Sequence, residues 1–437
     1  MFYKQILRMG GKLFLGNHLI LTRLLFPELF GLMALVNTFI QGLILFSDIG
    51  IKPSIIRSPR GDDPTFFNTA WTLQVIRGFG LWIGCCLIAW PVSQFYDNEQ
   101  LVWLLPTVGL TTIISGFNST SLPTLNRKLE IGKITVLDLG IQILALSIMI
   151  ILAYFYRSIW ALVVGSLVSV FIKMAISHRL EPTISNRFAW DKEALKEIIS
   201  IGRWIFIATA MTFLAQQTDK IMLGKFTSLE ILGVYTVAFT IANIPQQVLR
   251  KVSQQIMMPL VSQKLHLPRA TLRAKIVGKR QLLLMLMAVM ISVLFCTGDF
   301  IILQLYDSRY NDAAWILPIL VLGLWPLILS VTMDKALYAL GKTIYPAVAN
   351  FCKFFYMLLL LPSVLINLGI IGGIVVIAFN DIPYYIAISY GLWQEKLIDI
   401  TQDIQATSLM IGLIFLGTAV RYLLGLGISI DGIRAYL

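Results

Sequence analysis

Runs of about 20 apolar residues recur along this chain, and such runs leave it few options, because each is long enough to cross the hydrocarbon of a bilayer. In that medium an unpaired backbone N–H or C=O costs several kcal/mol, so each run must close its hydrogen bonds within itself as a transmembrane helix. The segment from Arg23 to Ile51, RLLFPELFGLMALVNTFIQGLILFSDIGI, shows the unit. It holds a Pro-Glu-x-x-Gly turn at Pro27 to Gly31, an apolar run, and Asp48 near the far end. The turn is expected at one membrane face and Asp48 toward the other. With 57% of its 437 residues hydrophobic and 13% charged, the chain has no room for a large soluble domain beside its spans.

The unit returns. Gly31, three residues after Glu28, is answered by Gly233, three after Glu230, an offset of 202 (233 minus 31). Trp103 to Pro106 recurs as Trp315 to Pro318 (offset 212), and Gly132-Lys133 as Gly341-Lys342 (offset 209). Tyr96-Asp97 and Tyr306-Asp307 precede the two Trp-x-x-Pro motifs. Order and spacing are kept together, which points to two copies of one membrane unit.

Apolar periodicity predicts an all-α polytopic membrane protein of about 13 transmembrane helices. A short first helix, within residues 1 to 26, carries Arg8, Lys12, Asn17, His18 and Arg23. Further helices are expected at 30–55, 66–95, 101–122, 134–155 and 159–177, then 198–218, 231–258, 276–304, 313–340, 345–367 and 369–390, with an extra one at 406–428. This divides the chain into an N-terminal six-helix lobe (1–177), a cytoplasmic linker (178–197), a C-terminal six-helix lobe (198–390) and a tail with the extra helix (391–437). Asp191 is expected to cap the helix that leaves the linker.

The net charge of +12 falls mostly in short loops between spans, so it reads as positive-inside topology rather than as a nucleic-acid surface. Arg57, Arg60, Arg127, Lys128, the linker, and the stretch from Arg250 to Arg280 all sit in or beside alternate loops. Those loops are expected in the cytoplasm, with the N-terminus. The two lobes are then parallel repeats, related by an axis along the membrane normal, around a central cavity. No small-residue cleavage site follows the start, so no cleavable signal peptide is expected.

Charged and amide residues within spans are functional candidates, because only pairing, snorkelling or a water-filled cavity makes them tolerable there. Arg77 and Arg280 occupy matching positions, 203 apart (280 minus 77), and suit a bidentate grip on a diphosphate. Snorkelling to headgroups explains them equally. Arg23, Lys353 and the amides Asn243, Gln246 and Gln247 around Pro245 are further substrate-binding candidates; Pro245 is expected to kink its helix. Asp48, Asp138 and Asp219 are candidates for ion coupling. Asp334 with Lys335 is another intramembrane charged pair.

No P-loop, metal-ligand cluster or catalytic constellation is visible, and Cys85, Cys86, Cys296 and Cys352 lie inside apolar runs without ligand spacing. Neither a cofactor nor an enzymatic activity is expected.

The stretches RLLFPELFGLMALV, FSDIGIKPSII, NRKLEIGK and QQTDKIMLGKFTSLEILGVYTVAFTIANIP resemble the oligosaccharide flippases of the multidrug, oligosaccharidyl-lipid and polysaccharide exporter superfamily. The resemblance implies two six-helix lobes opening alternately to each face of the bacterial inner membrane. It also implies an oligosaccharide on undecaprenyl diphosphate as substrate, moved outward for lipopolysaccharide or exopolysaccharide synthesis beside a polymerase and chain-length complex. Beside the family pattern the first helix is short, and one extra helix stands where relatives often have two. Three other readings stay open: a drug/cation antiporter of the same superfamily, a membrane polymerase or ligase, and a non-transporting member of an assembly complex. A polymerase would need a long outward loop, and none here exceeds about a dozen residues.

Overall fold

The computed structural model describes residues 20–128, 130–181, 183–264 and 267–432. The expected first helix falls mostly on residues 1–19, with Arg8, Lys12, Asn17 and His18, and so lies outside the described residues. Every regular element described is helical, as expected. The chain divides into two compact units, Met1–Phe213 and Leu214–Leu437.

In the first unit the order is α1 (Pro27–Phe46), α2 (Ile51–Arg57), α3 (Pro64–Tyr96), α4 (Gln100–Gly116), α5 (Ser121–Arg127), α6 (Ile131–Tyr156) and α7 (Trp160–Ser177). Helix α8 (Lys192–Phe226) begins in the first unit and ends in the second. The second unit continues with α9 (Leu229–Ala242), α10 (Ile244–Ser262), α11 (Arg269–Leu305), α12 (Ala313–Gly323), α13 (Trp325–Val331), α14 (Asp334–Ala339), α15 (Ile344–Ala378), α16 (Ile382–Gln394) and α17 (Ile400–Leu423). The repeat read from the sequence is visible in this order. A helix that carries Glu-x-x-Gly in its first turns, where the sequence suggests a turn, then a long helix, then a helix opened by Trp-x-x-Pro and followed by a short one across a break, occur once in each unit.

By length and composition, eight described helical stretches can cross a membrane, or nine if α4 and α5, bent by 60°, form one span. The stretch Ile344–Gln394 counts once there, although the chain folds back inside it. Gly369 takes φ 65° and ψ −160°, and a Cβ on Gly373 would meet the Leu365 side chain at 2.3 Å. A continuous helix would hold residues eight apart (373 minus 365) about 12 Å from each other. The sequence-based boundary between 367 and 369 therefore marks a real reversal.

The first long helix, expected over 30–55, is instead broken. Asp48 Oδ1 accepts from Gly50 N–H at 2.9 Å, Gly50 is in the left-handed region (φ 69°), and α2 starts at Ile51. An Asx turn followed by glycine stops a helix without stranding its polar groups. Helix α3 supplies the caps for two neighbours. Gln74 Nε2 donates to Gly116 O at 2.9 Å and Asn118 O at 3.0 Å at the end of α4, while Arg77 donates to Ile44 O and to Ser47 Oγ at the end of α1. Close approach does the rest: a Cβ on Gly78 would stand 2.7 Å from Thr112 O, so α3 and α4 touch backbone to backbone.

The segment between α7 and α8 is strapped to the first unit. Arg187, Ala189 and Asp191 donate their backbone N–H groups to Asn68 Oδ1, Thr72 Oγ1 and Thr69 Oγ1 at 3.0–3.1 Å, all on one face of α3. Asp191 Oδ1 accepts from Glu193 N–H at 3.0 Å, so it caps α8 as expected. Arg60 bridges the carboxylates of Asp63 (3.0 Å) and Asp191 (2.9 Å), tying the start of α3 to the start of α8. Beneath it Ile55, Phe66, Ala70, Ala194 and Ile198 form one buried cluster.

Apolar side chains also cover the outside. Leu87, Phe155, Leu359, Phe415 and Leu416 are exposed, which water would penalise and lipid does not. Helix α17 is the extreme, with 11% of its apolar window buried. Polar pins hold it along α11: Arg273 with Asp399 (3.2 Å), Arg280 with Asp403 (2.6 Å), Ser292 Oγ to Met410 O (3.3 Å) and Arg421 with Asp299 (2.6 Å).

Candidate functional site

Helix α9 ends at Ala242 and α10 begins at Ile244, so the kink expected from Pro245 is a break at Asn243. Proline lacks the N–H that would continue the ladder, so α9 ends just before it. Asn243 Nδ2 donates to Phe239 O at 2.8 Å. With the Gln246 amide oriented by its neighbours, its nitrogen donates to Asn243 Oδ1 and its oxygen accepts from Arg250 Nη2 at 2.8 Å and Nε at 3.0 Å. A single chain of hydrogen bonds thus runs from the helix break to the Arg250 guanidinium.

That chain forms one wall of a cavity of about 280 Å³ in the second unit. The end of α8 forms another, with Gln216, Gln217, Asp219 and Lys220. Lys220 Nζ donates to Gln217 Oε1 at 2.7 Å and stands 5.0 Å from the centroid of the Phe239 ring. On the third side, Lys353 of α15 pairs with Asp381 at 2.6 Å, both largely buried. The Tyr235 hydroxyl donates to Asp219 Oδ2, fixing that carboxylate. Among the described residues neither Lys220 nor Arg250 is in an ion pair, although the Arg250 charge acts on the buried Asp334 carboxylate from a distance. The lining carries three cations, Lys220, Arg250 and Lys353, against two carboxylates, Asp219 and Asp381, an excess of one positive charge (3 minus 2).

Of the residues singled out from the sequence, the cavity brings together Asn243, Gln246, Gln247, Lys353 and Asp219. The others lie elsewhere. Arg77 is the cap of α1 described above and Asp48 the turn that follows it. Asp138 pairs with Lys173 at 2.8 Å on an exposed part of α6 and α7. Arg23 is exposed ahead of α1.

Arg280 does not match Arg77 in surroundings and offers nothing to a ligand here. It is 2% exposed, and its Nε, Nη1 and Nη2 are held by Thr332 Oγ1 (2.8 Å), Gln402 Oε1 (3.1 Å) and Leu329 O (3.0 Å), with Asp403 beside it. The matching sequence position concealed a partner on α17, the helix with no counterpart in the first repeat.

From the sequence, Arg250 reads as a loop cation and Lys220 as one just past a helix end. The signal for Arg250 was present, since it lies four residues after Gln246 and hence on the same helix face. Lys220 was hidden by a helix end expected at 218, whereas α8 runs two turns further, to Phe226.

Residues 20–315 match the model of a family described as "Polysaccharide biosynthesis protein". The chain belongs to that family. Among polysaccharide biosynthesis relatives, it is 23% identical over 310 residues to the succinoglycan biosynthesis transport protein ExoT of Rhizobium meliloti, covering 70% of this chain and 61% of ExoT. It is 20% identical over 282 residues to the teichuronic acid biosynthesis protein TuaB of Bacillus subtilis, covering 63% of this chain and 57% of TuaB. The chain thus spans less than two thirds of the length of either relative. Its fold is shared with a solved structure of the lipid II flippase MurJ in an inward closed conformation, at TM-score 0.74, 14% identity, and coverage of 95% of this chain and 92% of that one. It is shared also with an inward-facing multidrug resistance MATE family transporter of the MOP superfamily, at TM-score 0.63, 12% identity, and coverage of 92% and 95%. The fold expected from the resemblance is therefore the one observed, and the chain is a multi-pass membrane protein whose described elements are all helical.

Proposed function

We propose that this chain moves an undecaprenyl-diphosphate-linked oligosaccharide from the cytoplasmic to the outer leaflet of a bacterial cytoplasmic membrane by alternating access. The reading rests on one observation: a cavity in the second unit that combines two cations outside any ion pair among the described residues with a bank of side-chain amides. Phosphate oxygens suit the Arg250 fork and the Lys220 ammonium, and amides hydrogen-bond sugar hydroxyls in either direction. The polyprenyl tail stays in lipid, where it needs no polar partner. Of the three carboxylates considered for ion coupling, Asp219 alone lines this cavity, and we assign coupling to it. The excess positive charge disfavours a drug-cation antiporter, which would need its lining negative. No covalent step is invoked, so the proposed cycle is transport without catalysis. A polymerase and chain-length complex would consume the delivered glycan on the outer face.

The test is delivery of lipid-linked glycan to the outer leaflet in a flippase-deficient strain, normalised to membrane protein level. Losing one charge-assisted contact costs roughly 1.5 to 3 kcal/mol, or about tenfold or more in affinity, so Arg250→Gln and Lys220→Gln should each cut delivery by that order. Arg250→Lys should rescue in part, since a point charge cannot reproduce the fork. Full delivery by the double variant would exclude this cavity from transport.

A further inference from the structure

The first unit holds a larger cavity, about 430 Å³, lined by none of the residues assigned to the transport cavity. It is lined by the first turns of α1, α4 and α7 and by the α6–α7 turn, with Trp103, Trp160, Phe26, Gln100, Glu28 and Arg157. These helix starts share one membrane face, the one that the basic loops assign to the outside. Trp103 is 72% exposed and Trp160 46%, so both indoles present their faces rather than pack in a core.

Tryptophans at a membrane interface have an ordinary explanation in the aromatic belt. That explanation does not reach Glu28 and Arg157. Some charges at the ends of helices in this unit are paired, as in Arg60 with Asp63 and Asp191, and Lys128 with Glu181. Glu28 and Arg157 line the same concavity, yet among the described residues neither is in an ion pair. A flat apolar ring face beside a carboxylate, a guanidinium and an amide is the chemistry that recognises a pyranose. The C–H face of the sugar packs on indole, and its hydroxyls both donate and accept.

We propose that this cavity is a second glycan site, which holds one or two sugar units of the oligosaccharide at the outer face. The inference rests on the polysaccharide transport reading but concerns different residues in a different unit. Glu28 accepts from sugar hydroxyls and Arg157 and Gln100 donate to them, while Trp103 and Trp160 carry the rings. The site needs no phosphate, so it binds free oligosaccharide as well as the lipid-linked form.

The experiment measures binding to the protein in lipid nanodiscs by calorimetric titration. The probe is the one- and two-repeat oligosaccharide released from the source cell's own surface polysaccharide, without lipid or diphosphate. Saturable binding is expected, weakened about two- to tenfold by Trp103→Ala or Trp160→Ala. A loss of about tenfold is expected for Glu28→Gln, where a charge-assisted hydrogen bond goes. Trp90→Ala is the belt control, because Trp90 is 66% exposed and lies outside the cavity. It should bind like the parent. Three results would each overturn the site: no saturable binding by the parent protein, equal loss in Trp90→Ala, or undiminished binding in a Trp103→Ala, Glu28→Gln double variant. Glycan delivery in cells is read separately. A parent protein that binds the oligosaccharide but delivers none defeats the transport reading alone, and one that delivers glycan without binding the free oligosaccharide defeats this site alone.

Discussion

The Arg280 guanidinium lies 2.6 Å from the Asp403 carboxylate, and the two side chains are 2% and 9% exposed. A buried pair of this kind is fragile to the loss of one partner, because the other is left as an uncompensated charge at a cost of about 3 to 5 kcal/mol.

Asp403→Ala should therefore lower the thermal stability of the detergent-solubilised protein and release α17, which proteolysis of the C-terminal segment would detect. Arg280→Lys should be nearly as damaging, since one ammonium cannot serve Thr332, Gln402 and Leu329 O together. A lysine variant of full stability but reduced glycan delivery would return Arg280 to the substrate path.

Gly369→Ala tests the reversal inside α15. The backbone there, φ 65° and ψ −160°, is essentially closed to residues with a Cβ, so the substitution should destabilise by about 1 to 3 kcal/mol. Gly412→Ala in α17 is the comparison, because a Cβ there meets nothing within 4 Å. Equal melting temperatures for the two variants would contradict the reversal.

Arg60 predicts a pH dependence. Its hydrogen bond holds Asp191 below the usual carboxylate range, and Thr65 N–H and then Arg60 do the same for Asp63. Folded-state pKa values below the unfolded ones mean that the stabilisation is complete above the unfolded value, about 3.9, and is lost as pH falls through the lower folded values. Arg60→Gln should thus melt earlier than the parent at pH 7, and the gap should close below about pH 4. A gap that persists unchanged into that acid range would assign the effect to packing.

The basic residues between 251 and 275 predict that the α10–α11 connection faces the cytoplasm, and that the start of α1 at Pro27 to Gly31 faces outside. Single cysteines at Lys264 and Glu28, in a protein whose four native cysteines are replaced, should react with an impermeant reagent from opposite sides. Reaction from the same side would invert the topology for one of them.

The elements were legible because apolar run length is local, and so is turn chemistry. Gly31 and Gly233, or Trp103 and Trp315, expose the repeat without any knowledge of contacts. Asn243, Gln246 and Gln247 were legible for a similar reason, as amides clustered around one proline in a span. Legibility ended where a partner lies far along the chain. Nothing near Arg280 announces Asp403, and nothing near Lys353 announces Asp381. Arg250 and Lys220 were lost differently: the rule that sends basic residues to loops took Arg250, and a helix end placed about two turns early hid Lys220.

The pins between α11 and α17 make that helix tolerant in one way and intolerant in another. With so little of its apolar surface buried, most outward substitutions by other apolar residues should pass unnoticed. A one-residue deletion between Arg280 and Asp299 is different, because it turns the Asp299 carboxylate by about 100° relative to the Arg280 guanidinium and shifts it by about 1.5 Å. Asp403 and Arg421 could then not both be met. The pairing of these two helices works as a vernier, so natural variants of this segment should drift freely in side chain while keeping its length.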